Sequence, residues 1–456
     1  MPAGRHMTRP FSPMAAVQTG SDAPLRQSNP FIPVRWRIFG FLFAIGFLAY
    51  LQQRSLTVAA ARMIPDLHIS QLQIGWLEQA FVIGYALFQL PGGVLGQRWG
   101  ARWTFLGIGL VAAGSILLTA LAPEMLSGPA LLVLLFAAQF TLGSAQAPIF
   151  PVSTGVFETW FQPRRWALVQ GLQTMGLSLG GALAPPLIAA LMTTIGWQRA
   201  LMCTAIPAIP LYLWWAWYGR NSPREHASVS EAELELLCKY GSEQVNDRVS
   251  IRELWNIVGD RNVLLLAVSY FAMNYVFYLL ANWCFLYLVQ ERHFSVLEGG
   301  WLAVAPPIVA GIGAGLGGAI AGALYERLGS RRGLRLTPLL ALPAAGFLLL
   351  IAVNAANAYV AVAILAMCYG LVELTEGSYW AAAMTIGRSN TMAVGGVLNT
   401  GGNLGGVVGI PIVAYLSGHG GWTLAFRVGS GFALVSAAAW LFIDASRSVA
   451  TQTRTP

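Results

Sequence analysis

The sequence predicts an all-α polytopic membrane protein, with twelve transmembrane helices arranged as two six-helix bundles. Three observations carry this expectation. Of 456 residues, 56% are hydrophobic and only 10% charged, where a soluble chain carries about 25% charged residues. The apolar residues fall in runs of about 20, long enough for a helix to cross a bilayer, and not in the short alternating segments of a β-barrel. A turn motif also recurs at the same place in each half of the chain.

Taken in order, residues 1–34 form a tail whose Ser, Pro and Gly content reads as disordered. The apolar run after Arg37 is too long for a cleavable signal peptide and lacks a small-residue cleavage site. Spans fall near 38–60, 74–96, 103–122, 130–155, 166–192, 200–219, 263–289, 300–324, 335–354, 358–386, 391–417 and 424–443. The longest polar break, 220–262, contains "NSPREHASVSEAELELLCKYGSEQVNDR" and reads as a linker bearing a short amphipathic helix. It separates an N-terminal bundle, 35–219, from a C-terminal bundle, 263–443, and a second tail follows at 444–456.

Basic residues set the orientation. With both termini cytoplasmic, 22 of the 27 Lys and Arg fall in the tails and the cytoplasmic connections. Arg62, Arg199, Arg292 and Arg427 fall outside, and Arg54 lies in the membrane. The expected setting is a cell membrane crossed many times by a monomer.

The repeated motif follows spans two and eight. "GVLGQRWGARW" (93–103) and "GALYERLGSRR" (322–332) stand 229 residues apart. Gly93, Gln97, Arg98, Gly100 and Arg102 in the first match Gly322, Glu326, Arg327, Gly329 and Arg331 in the second. The glycines permit a tight turn and close helix approach. The arginines stay in water, and Glu326 is free to meet the positive N-terminal end of a neighbouring helix. Two copies in two six-span halves are the mark of a duplicated transporter.

Several function classes are excluded. The net charge of +8 is distributed and not patched, so nucleic acid is no partner. Cys203, Cys238, Cys284 and Cys368 have neither CxxC nor Cys/His metal spacing. All five histidines lie in tails or loops, and no Ser/His/Asp or Cys/His arrangement suggests an enzyme. No metal or cofactor is implied; the lipid bilayer is.

What remains is polar chemistry inside the membrane. In "YLQQRSL" (50–56), Arg54 follows Arg37 by 17 residues, roughly 25 Å of helix. An ionisable residue at that depth marks a functional site or snorkels to the interface. In "CYGLVELTEGSYWAAAM" of span ten, Glu373 lies near the midplane, and Glu373, Glu376 and Trp380 share one helical face at i, i+3 and i+7. Two carboxylates so close in low dielectric should not both ionise, as a transmembrane proton carrier requires. The other acids read as loop or interface residues. The alternatives are a pairing of one Glu with Arg54, cation binding by both, or a structural role.

"QAFVIGYALFQLPGGVLGQRWGARW" (79–103), "AQAPIFPVSTGVFETWFQPRRWAL" (145–168), "NWCFLYLVQERHFS" (282–295) and "GGVLNTGGNLGGVVGIPIVAYL" (395–416) complete a pattern that resembles the major facilitator superfamily over nearly the whole chain. More narrowly, it resembles the anion:cation symporter branch of hexonate, hexuronate, sialic-acid and vesicular glutamate carriers. The resemblance implies alternating access by two rocking bundles and a small carboxylate substrate, with protons or another cation as coupling ion. In that branch the first span reads Asp-Arg where this chain has Gln53-Arg54, and the fourth reads Glu-Ala-Pro at Gln146-Ala147-Pro148. The resemblance makes Arg54 the anchor for the anion and the two acids the coupling pair. Glutamine keeps the shape but neither takes up nor releases a proton, so coupling is expected at Glu373 and Glu376 instead. Tyr85, Gln89, Gln173, Tyr275, Tyr278, Asn282, Trp380, Asn399 and Asn403 fall where the resemblance expects cavity-lining residues. The branch has Tyr two residues before its Asp, where this chain has Leu51, and Tyr50 is one residue off. An uncoupled uniporter or exchanger, a carrier of neutral solutes and a non-transporting sensor on the same fold are the alternatives.

Overall fold

The computed structural model describes residues 32–238, 249–294, 298 and 302–449. Most of the expected N-terminal tail, part of the linker, the entry to span eight and the end of the C-terminal tail lie outside the described residues. Twelve helical spans are present. Span one is Val34–Leu67; span two begins with Gln71–Leu87 and continues over 89–99; span three is 101–125. Span four joins Gly128–Gln146 to Ile149–Trp160, span five is Pro163–Ile195, and span six joins Trp197–Ala205 to Ala208–Tyr218. Span seven is Arg261–Gln290, span eight 305–328 and span nine 330–354. Span ten joins Ala358–Glu373 to Glu376–Gly387, span eleven is 391–420 and span twelve 422–440. We call the face where span one begins the near face, and the opposite one the far face.

The turn motif marks half of a finer repeat. The chain reverses at Gly100, Gly196, Gly329 and Gly421, with φ between 74° and 81° and ψ between 158° and 177°. These are the turns between the second and third helix of four successive three-helix units. Only glycine takes this backbone without strain. The first and third turns lie at the near face, the second and fourth at the far face, as nested inverted repeats require.

Helix ends are satisfied partly by the linker. Pro33 gives span one no side-chain cap; instead Glu233, on the linker helix Glu231–Cys238, accepts from Val34 N (3.1 Å) and Arg35 N (3.2 Å). A carboxylate there also answers the positive helix end. Asp260 caps span seven through Asn262 N and Val263 N. The amphipathic linker helix is Ile251–Gly259, opened by a Ser250–Glu253 capping box, with Ile257 buried and Ile251 and Trp255 exposed.

Span eight is the hinge of the packing because its glycines serve two neighbours. Gly313 and Gly317 lie against the Gly370 and Leu374 carbonyls of span ten, while Gly311, Gly318 and Gly322 lie against span five at Ser178, Ala167 and Arg164. Without a strong hydrophobic drive between helices in lipid, such backbone approach supplies the association. A methyl group at Gly317 would sit 1.9 Å from the Leu374 carbonyl oxygen, whereas one at Gly431 meets nothing within 4 Å. Gly317→Ala should therefore cost about 1–3 kcal/mol and lower the melting temperature in detergent. Gly431→Ala should leave it unchanged or raise it.

Candidate functional site

Helix rise alone brings one set of polar residues to a common level. Counted from the near end of each span at 1.5 Å per residue, Tyr50, Arg54, Tyr85, Tyr278, Tyr369 and Glu373 lie between about 21 and 30 Å deep. The structure assembles them from spans one, two, seven and ten. Arg54 is half-buried and makes no hydrogen bond or ion pair among the described residues. Tyr50, Tyr278 and Tyr369 are within its electrostatic reach, and Tyr85 is within that of Tyr50 and Tyr278. Tyr50, one turn before Arg54, is thus the tyrosine at the arginine. Leu51, where the branch pattern places a tyrosine, is buried against Ala184 and Ile188 of span five.

A hydrogen-bonded chain floors this level on the near side. Tyr278 OH donates to Asn403 Oδ1 (3.1 Å), Asn403 Nδ2 to the Asn399 carbonyl (2.8 Å), and Asn399 Nδ2 crosses between bundles to Gln89 Oε1 (2.7 Å). The other end of the Gln89 amide, Nε2, is buried without a hydrogen-bond partner of ordinary geometry among the described residues. Asn282, one turn beyond Tyr278, is exposed. Tyr275 is turned away: its ring stacks on Phe432 at 4.1 Å, inside the C-terminal bundle, and its hydroxyl is unpartnered.

The two span-ten acids differ. A turn at Leu374 and Thr375, both with right-handed helical dihedrals, joins the segment ending at Glu373 to the one starting at Glu376, and the two acids stay within electrostatic reach of each other. Leu374 and Thr375 make the turn, with Thr375 Oγ1 donating to the Val372 carbonyl (2.7 Å) and span eight seated at Leu374. Glu376, in the first turn of the second segment, faces a positive helix end. It accepts from Tyr270 OH (2.9 and 3.2 Å) and from Trp380 Nε1 (2.8 Å). Trp380 is held in turn by stacking on Phe150 of span four at 5.2 Å. Glu373 is 2% exposed and accepts no hydrogen bond among the described residues. It lies within electrostatic reach of Tyr50, Tyr270 and Tyr369.

Between this level and the near face the bundles are locked. Gln97 Nε2 donates to the Ser389 carbonyl (2.8 Å) and Asn390 Oδ1 (3.0 Å), at the start of span eleven. Its counterpart Glu326 accepts from Arg164 (2.9 Å), at the start of span five. Gly93 and Gly322 let the helices approach, a methyl group at each lying 2.4 Å from the Met392 carbonyl and 2.8 Å from the Arg164 carbonyl. Arg102 N donates to Asn221 of the linker and Arg102 Nε to the Ala216 carbonyl. Arg331 pairs with Asp444 at 3.6 Å, while Arg98 and Arg327 are exposed. Glu158 was expected at an interface but is 2% exposed. It reaches Thr391 across the bundle boundary, near Arg388, and its Oε1 has no partner among the described residues. The structure is closed at the near face.

The chain matches the model of the Major Facilitator Superfamily over residues 42–390. It belongs to that family. Members of the major facilitator superfamily are transporters and not enzymes, and so is this chain. It is 27% identical to a probable sulfoacetate transporter, SauU, of Cupriavidus necator, covering 91% of this chain and 94% of the relative. A hexuronate transporter of Bacillus subtilis is 26% identical (88% and 92% covered), and a D-galactonate transporter of Escherichia coli 25% identical (90% and 95%). The fold is that of the E. coli fucose transporter FucP in its outward conformation, with TM-score 0.68, 14% identity and 90% and 99% coverage. Among the described residues no cluster of three or more His, Cys, Asp or Glu offers a metal site.

Within this major facilitator fold the glutamines are paired differently from expectation. Gln146 Nε2 donates to Gln52 Oε1 (3.0 Å), and Gln52 Nε2 to the Thr204 carbonyl of span six (2.9 Å). Gln53 is half-buried and outside that network. Successive helical residues point about 100° apart, so only one of the two can face span four. The signal was in the spacing: Ile45, Ala49, Gln52, Leu56 and Ala59 form one buried stripe. Gln173 is also engaged, donating to Ser153 Oγ (2.7 Å) and accepting from Gln170 (3.3 Å). Gln52→Leu leaves the buried Gln146 amide unpartnered and should cost about 1–2 kcal/mol. Gln53→Leu should cost less, and melting curves in detergent compare the two.

Proposed function

We propose that this transporter carries small organic anions, sugar acids or related carboxylates, by alternating access, with Arg54 as the anchor of the anionic group. The observation that carries the proposal is a guanidinium at membrane depth with no protein counter-charge bound to it. An arginine so placed is costly unless something answers it, and its planar fork suits a carboxylate. Tyr50, Tyr278 and Tyr369 within its electrostatic reach, and Tyr85 beside two of them, offer hydroxyl donors and acceptors suited to a hydroxylated substrate. The relatives named for hexuronate, galactonate and sulfoacetate support the same substrate class.

Gln53, Gln146, Gln173, Trp380 and Asn399 shape and brace the cavity, while Tyr275 acts from inside the C-terminal bundle. Amides at positions 53 and 146 carry no proton, so coupling to protons or another cation, where it exists, rests on span ten. Of its two acids Glu373 is the better candidate, because Glu376 is held by Tyr270 and Trp380. The glutamine replacements equally favour an uncoupled exchanger, and one measurement separates the two. The excess of basic residues at the near face supports a cytoplasmic position for both termini.

Uptake of a panel of sugar acids into proteoliposomes, with and without a pH gradient, tests the proposal. Arg54→Gln should reduce carboxylate uptake at least tenfold, and Arg54→Lys should restore part of it as a point charge without the fork. Saturable uptake of a neutral sugar but of no carboxylate would overturn the anion assignment. Loss of pH-gradient dependence in Glu373→Gln supports coupling there; unchanged dependence removes it.

A further inference from the structure

A cleft of about 1290 Å³ opens at the near face, away from Arg54. Its walls are the linker helix Ile251–Gly259, the starts of spans seven and nine, and the chain just past span twelve. Hydrogen bonds fix these walls to one another. Asp444 N donates to Asn262 Oδ1 (2.9 Å), Arg335 donates to the Ile443 carbonyl, and Ile257 is buried under the linker helix. Each wall is the end of a membrane span or the helix beside one, so the cleft sits at the level of lipid headgroups. Four arginines line it, Arg252, Arg261, Arg331 and Arg447, against three carboxylates. The carboxylates are already engaged. Glu253 accepts from Ser250 N (2.8 Å), Asp260 accepts from Asn262 N (2.8 Å) and Val263 N (3.1 Å), and Asp444 is shared by Arg331 (3.6 Å) and Arg447 (3.7 Å). Arg252 and Arg261 are exposed and make no hydrogen bond or ion pair among the described residues.

We propose that this cleft binds the headgroup of an anionic phospholipid, with its phosphate on Arg252 and Arg261 and its acyl chains against Trp255, Leu441 and Phe442. A phosphate accepts two parallel bonds from a guanidinium fork, and a basic pocket between span ends at the membrane surface suits such a headgroup. The apolar rim decides for a lipid over a free phosphate. Arg252, Trp255, Asn256 and Gly259, at i, i+3, i+4 and i+7, lay one face of the linker helix along the cleft. Ile251 and Trp255 are exposed on that helix, and Leu441 and Phe442 are exposed past the end of span twelve. An amphipathic helix with basic and aromatic residues at a span end is the form that lies in the bilayer interface. A bound lipid joins the linker helix to spans seven and nine of the C-terminal bundle. Arg54 takes no part, so this site stands apart from the anion-carrier reading.

Short-chain phosphatidylglycerol and phosphatidylcholine, titrated into the purified full-length protein in detergent, test the site. The readout is the lipid concentration that half-saturates the rise in melting temperature, with retained lipids counted by native mass spectrometry as a second measurement. Phosphatidylglycerol should act at a concentration about tenfold lower than phosphatidylcholine. Arg252→Gln with Arg261→Gln should erase that preference. Arg62→Gln with Arg165→Gln, which removes two exposed arginines away from the cleft, should keep it. Trp255→Ser should weaken phosphatidylglycerol without changing the charge of the cleft. Equal action of the two lipids on the wild-type protein overturns the proposal, as does a preference that the Arg252 and Arg261 pair leaves intact. A preference lost equally in the Arg62 and Arg165 pair assigns it to overall charge and overturns the site. Glycerophosphoglycerol, the same headgroup without acyl chains, should not protect at these concentrations. Protection by it equal to that of the lipid, unchanged in Trp255→Ser, assigns the cleft to a soluble phosphodiester and overturns the lipid.

Discussion

A guanidinium inside a bilayer has to be answered by something, and the arrangement of this protein follows from how that demand is met. Water, a protein acid or a ligand can satisfy Arg54; a hydrocarbon tail cannot. The side chains within its electrostatic reach are the hydroxyls of Tyr50, Tyr278 and Tyr369, and no acid pairs with it among the described residues. The arginine is thus held at the boundary of two rigid bodies with its fork unoccupied. A binding energy that depends on an unpaired charge is available to an incoming anion in full, because no internal ion pair has to be broken first.

That boundary can move because of how it is built. On the near side the bundles meet through glycine-lined backbone contacts, the two amide bonds from Gln97 and one exposed ion pair, Arg164–Glu326. An exposed ion pair of this kind contributes only about 0–1 kcal/mol, and close-packed glycine surfaces separate without dragging large side chains through one another. The contacts inside each bundle are of another kind: Tyr379, Ser269 and Ser436 form a buried hydroxyl knot joining spans seven, ten and twelve, and Gln146, Gln52 and Thr204 join spans four, one and six. Stiff bundles with a weakly latched seam are the mechanical requirement for alternating access. Glu158 belongs to the seam, since its buried carboxylate reaches Thr391 across the bundle boundary.

Much of this was legible in the sequence. Span positions follow from apolar runs, and the near-face turns from the duplicated motif, because both are local properties of the chain. The other two turns, at Gly196 and Gly421, carry the same backbone conformation without the basic motif, so their kinship with Gly100 and Gly329 shows only in dihedral angles. The turn in span ten was hidden because Leu374 and Thr375 are not helix breakers and keep helical dihedrals, and span eight packs against the Leu374 carbonyl only through a long-range contact. Gln52 was hidden by its neighbour, since the branch pattern drew attention to Gln53 while the buried stripe pointed one residue earlier. Glu158 was hidden by its position near a span end, where an acid ordinarily reaches water.

The placement of the acids has a consequence that composition does not reveal. In the branch pattern an arginine and two carboxylates share the N-terminal bundle; here the arginine stays and two carboxylates stand in the C-terminal one. The formal charge of the three groups is the same, but it is now split across the seam. Groups that share one bundle in the branch pattern stand here on two, so rocking alters the distance between them. The glutamines at 53 and 146 keep the shape of the older site and remove its charge, while span ten supplies two buried carboxylates, Glu373 and Glu376.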